Sequence, residues 1–81
     1  MMQFNYSALN GKIVEKFGSQ YAFSYAMGLS ERSLSLKLNA KVGWKQTEIV
    51  KACELLSIPL EELQIYFFNF EVQKSWTFKV R

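Results

Sequence analysis

The sequence predicts a mainly α-helical fold, five helices with a short C-terminal β-strand or hairpin. Apolar residues recur at helical spacing from Leu9 to Phe67, Gly18 and Gly28 punctuate that pattern, and after Phe68 the period falls to two. At 81 residues the chain has room for one core, and an apolar share of 49% with 16% aromatics excludes a disordered tail. The period divides it into a helical domain over 1–69 and a β tail over 70–81.

Asn5 is placed to cap a first helix over about 6–17, with Leu9, Ile13 and Phe17 as one stripe and Gly18 as its left-handed terminator. Ser19 caps the next, Phe23 and Met27 form its buried stripe, and Gly28 stops it after two turns. Leu29 points inward from the turn. Ser30 caps a third helix that runs to about Asn39, with Leu34 and Leu38 one turn apart. A loop over 40–44 precedes a fourth helix at about 45–56, whose inner face holds Ile49, Ala52, Cys53 and Leu56. Pro59 suits the first position of a fifth helix, where no amide donor is needed, and Glu61 and Glu62 complement its dipole. Leu60, Leu63 and Phe67 make its stripe, widened by Ile65 and Phe68. Beyond it, Phe70, Val72, Trp76, Phe78 and Val80 alternate with polar residues, as a strand requires. Lys74-Ser75 is a poor tight turn, so one long strand and two joined by a loose bend are both open, as is pairing within or between chains.

Composition excludes much chemistry. The chain has no His and no Asp, which removes Ser-His-Asp and Cys-His catalysis. One Cys without His cannot fill a zinc tetrahedron, so no metal or cofactor is expected. The one adjacent carboxylate pair, Glu61-Glu62, diverges by about 100° on a helix and does not converge on a substrate atom. A non-enzyme is expected. The lone Cys53, with no leader-like stretch, predicts the cytoplasm, and no apolar run approaches the ~20 residues of a membrane span.

The formal charge is +3, unevenly spread. Residues 12–51 hold seven bases against three acids, net +4, while 52–81 hold three against four, net −1. A basic middle suits a phosphate backbone, or is simply a solvated surface.

The functional signal lies in 19–39. Two short helices meet at Gly28 in the spacing Gln20, Phe23, Ser24, Met27, Gly28, Leu29, Leu34. Small Ser24 lets them cross closely, and Gly28 permits the turn. This unit resembles the helix-turn-helix of phage repressor and Cro proteins, whose second helix enters the major groove. The stretches FNYSALNGKIVEKFGSQ, GLSERSLSLKLNAKVGWKQTEI and EELQIYFF are similar to small Cro-like regulators of phages of Gram-positive hosts, over about residues 4–70. One position departs: three residues after Leu34, where such units hold an apolar residue, stands Lys37.

The resemblance implies a DNA surface. Gln20, helped by Ser19, would bind a phosphate. Glu31, Arg32 and Leu36 would face base edges with Ser33 and Ser35 nearby, Arg32 pairing with guanine and Leu36 touching a thymine methyl. Lys37, Asn39, Lys41 and Lys45 are the phosphate candidates. Structural roles compete: Glu31 also favours a helix start, Leu36 also suits a protein contact, and Trp44 suits anchoring the fourth helix.

The leading expectation is thus a Cro-like transcription regulator that inserts helix 30–39 into operator DNA. It would act as a homodimer, because one unit reads too few base pairs, with the tail residues Phe70, Val72, Trp76, Phe78 and Val80 as the dimer element. The alternative is a modulator or antirepressor that binds the neighbouring phage repressor protein and alters its operator binding. The modest charge and the surplus aromatics favour that reading.

Overall fold

The computed structural model describes residues 2–72. In order these form β1 (Met2–Phe4), α1 (Ser7–Phe17), α2 (Gln20–Met27), α3 (Glu31–Leu38), α4 (Gln46–Leu56), a 3-10 turn (Leu60–Glu62), α5 (Leu63–Phe67) and β2 (Phe70–Val72). The mainly helical class and the five helices agree with the sequence.

Local chemistry explains each boundary. Tyr6 occupies the cap position of α1, but Asn5 does the bonding: its Oδ1 accepts the Ser7 amide at 2.8 Å and the Ser7 hydroxyl at 2.6 Å. Gly18 ends α1 at φ 87°, and Gly28 ends α2 at φ 75°. Ser19 Oγ accepts the Ala22 amide at 3.1 Å, and Ser30 Oγ the Ser33 amide at 3.0 Å, so both helices of the unit start on serine caps. Ser24 is buried and donates its hydroxyl back to Tyr21 O at 2.7 Å. Past α3, the amides of Lys41 and Val42 both reach the Leu36 carbonyl, at 2.9 and 3.3 Å.

A methyl group added at Gly28 meets nothing within 4 Å, so Gly28→Ala tests backbone conformation alone. It should lower stability by about 1–2 kcal/mol, read as a lower urea midpoint at unchanged slope. An unchanged midpoint would show that the turn does not depend on a left-handed residue.

The fifth helix departs from expectation. Pro59 sits just before the 3-10 turn at ψ 155°, not inside a helix, and the α-helix begins only at Leu63. Leu60 is therefore 78% exposed instead of belonging to the inner stripe, and Ile65 and Phe68 also face outward. The core lies between the five helices, centred on Leu9, Ile13, Phe23, Leu34, Leu56 and Phe67. Cys53 is buried there, and burial pushes its thiol pKa up, so it is a packing residue and not a nucleophile. Trp44 packs edge-on against Phe67, ring centres 5.2 Å apart, and so anchors the start of α4.

An N-terminal strand was not foreseen. β1 pairs antiparallel with β2, matching Met2 with Val72 and Phe4 with Phe70, and the Asn5 amide extends the pairing to Asn69 O at 2.6 Å. One edge of the strand holding Phe70 and Val72 is thus taken by the same chain. Trp76, Phe78 and Val80 lie outside the described residues.

Candidate functional site

The α2–α3 unit sets out the residues singled out for DNA. Glu31 and Arg32 stand exposed in the first turn of α3, the end at which the resemblance would place base contacts. Lys41 and Lys45 are exposed in the loop that follows. Ser33, Ser35 and Leu36 are half-buried, and Leu36 is spent at the backbone on closing the C-terminal turn. Asn39 is exposed and folds its amide back onto Ser35 O at 2.9 Å. Ser19 is exposed but committed to its cap. Gln20 is half-buried and donates to Asn10 Oδ1 at 2.9 Å, which ties the start of α2 to α1.

Lys37 corrects the sequence reading. It is 5% exposed, and its ammonium lies 3.0 Å from Glu48 Oε1 and 3.1 Å from Gly43 O. It fills the position that is apolar in repressor-type units, as the spacing from Leu34 requires, and turns its charge toward α4. A cation held this way does not reach a phosphate. Glu48 serves two elements at once, since its carboxylate also accepts the Lys45 amide at 2.8 Å at the start of α4. Burial pushes the Glu48 pKa up. The Lys45 amide bond, the Lys37 hydrogen bond and the charges of Lys37 and Lys45 outweigh this, so the net shift is downward.

Other basic residues are also occupied. Lys51 donates to Met27 O at 3.3 Å, a cation on the C-terminal end of α2. Lys12 pairs with Glu15 at 3.7 Å and lies over the Tyr66 ring. The basic excess in the middle of the chain is therefore partly internal wiring, and Arg32, Lys41 and Lys45 are the exposed remainder around α3.

Sequence reasoning missed Asn10 and Glu48 as partners. The lysine at an apolar position was the visible signal, but nothing in the sequence ties it to Glu48. It also missed the outward aliphatics Val50 on α4 and Leu60 on the 3-10 turn, whereas Tyr21 and Tyr25, on the side of α2 away from Phe23, are 64% and 82% exposed as their spacing implies. Among the described residues no group of His, Cys, Asp or Glu is arranged to hold a metal, and no helix is long and apolar enough to cross a membrane.

Residues 2–70 match a family model described as "Protein of unknown function (DUF739)". Among solved structures the chain is similar to the modulator of repression (MOR) of the temperate bacteriophage TP901-1 from Lactococcus lactis. The identity is 55%, the TM-score is 0.73, and the match covers 83% of this chain and 90% of that one. No curated protein matches. The similarity is thus to a phage regulator, as the sequence led one to expect, but to one named as a modulator and not to a Cro or repressor protein.

Proposed function

We propose that this chain, which belongs to the DUF739 family, is a modulator of repression that binds the repressor protein of its phage and alters that repressor's hold on operator DNA. The observation that carries the proposal is the 55% identity to the TP901-1 modulator over 83% of this chain. Two features support it. The burial of Lys37 takes one cation away from the helix that would lie against phosphates. Tyr21 and Tyr25 offer aromatic surface of the kind enriched where proteins meet. The setting is the cytoplasm of the bacterial host.

A gel shift with the operator region tests the proposal. The chain alone is expected to give no specific shift, and added to the neighbouring repressor it should change the repressor's own shift. A second reading, direct operator binding, draws on the exposed Glu31 and Arg32 at the start of α3. On that reading Arg32→Ala weakens specific binding by about 1–3 kcal/mol and relaxes base preference at one position. A specific shift by the chain alone at nanomolar concentration, with no effect on the repressor, would put this second reading first.

A further inference from the structure

An apolar groove of about 290 Å³ lies along α4 and the 3-10 turn. Val50, Cys53, Ile58, Leu60 and Leu63 supply its apolar wall and Glu54 its charge, and among the described residues no lysine or arginine lines it. Val50 is 57% exposed and Leu60 78%, so two aliphatic side chains stand wet on either side of a hollow. Glu54 and Glu61 are exposed beside it, and Glu62 is half-buried. No residue of α2 or α3 takes part, so this surface is separate from the helix-turn-helix face.

We infer that this groove seats the phage repressor, taking an amphipathic helix that carries aliphatic side chains one turn apart with lysine or arginine beside them. The inference rests on the modulator reading and gives the repressor a contact surface apart from the exposed tyrosines of α2. A repressor must neutralise operator phosphates, so it carries basic surface, and the acidic rim complements it. The groove has no strand edge, because β1 and β2 lie elsewhere, which leaves a helix laid in the groove as the matching mode. A second copy of this chain fits poorly. In a two-fold contact each groove meets its own kind, and Glu54 and Glu61 would face the same acids.

The test is titration of full-length chain against the purified repressor of the same phage, by calorimetry at low and moderate salt. Leu60→Ser and Glu54→Lys alter exposed side chains. Each is expected to weaken binding by about tenfold, and Glu54→Lys should also flatten the salt dependence. Glu15→Lys makes the same charge change on α1 and should leave binding as it is. Equal binding by wild type, Leu60→Ser and Glu54→Lys would overturn the groove while the modulator reading stands. A wild-type chain that does not bind the repressor would overturn both. A wild-type dimer in sedimentation, dispersed by Leu60→Ser, would assign the groove to a second copy and overturn the proposal. Circular dichroism of each variant identifies folding failures, and Glu61→Lys replaces Glu54→Lys should the latter unfold.

Discussion

Glu48→Ala is expected to destabilise the protein by about 3–5 kcal/mol, because it strands the Lys37 ammonium inside the fold. The side chains of Lys37 and Glu48 are 7% and 15% exposed, and with the carboxylate gone one carbonyl, that of Gly43, remains to hold the charge. Removing both charges is a different experiment. Lys37→Met with Glu48→Gln fills the same space without an ion to desolvate, and such swaps are often neutral or stabilising by about 1–4 kcal/mol. Urea denaturation of the single and double variants separates the two effects. A cost below about 1 kcal/mol for Glu48→Ala would mean that water reaches the pair and that it behaves like a surface bridge. The pH dependence has a definite sign. The folded carboxyl titrates below its ordinary range, so its stabilisation is complete above that range and is lost as the pH falls through the lowered value. The double variant should accordingly show a flatter acid limb in a plot of stability against pH.

Phe23→Ala is the second large effect, also about 3–5 kcal/mol. Phe23 is fully buried and meets Phe17 edge-on, ring centres 5.2 Å apart, so alanine leaves a cavity between α1 and α2. A domain of this length has a total stability of about 4–12 kcal/mol, so the variant sits near the unfolding threshold at room temperature. Phe23→Leu should cost clearly less. Near-UV circular dichroism against temperature distinguishes these outcomes, and an unaltered melting curve for Phe23→Ala would refute the assigned core.

The helices were legible because their signals are local. Serine caps at Ser19 and Ser30 and left-handed glycines at Gly18 and Gly28 act within four residues, and the structure has all of them. The inner stripe from Leu9 through Phe23 to Leu56 was legible from spacing alone. What stayed hidden depends on distant partners. β1 spans three residues, too few to display a period, and exists because β2 offers it an edge 66 residues further on, as the pairing of Phe4 with Phe70 shows. The break between Pro59 and Leu63 escaped because a 3-10 turn and an α-helix share their first residues' pattern. The candidate site was half legible. Arg32 and Glu31 face outward as their places at a helix start imply, whereas Gln20 and Lys37, both expected at phosphates, are engaged by α1 and α4.

α3 is held by its ends and its inner face: the Ser30 cap, the Leu36 carbonyl closed by two amides, and the buried Leu34 and Lys37. Glu31 and Arg32 take little part in this fastening, so the residues that give the helix its outward chemistry are not those that keep it folded. Evolution can therefore rewrite the outer surface one codon at a time without an unstable intermediate. A lineage built on this scaffold can change the chemistry of this face faster than it changes shape.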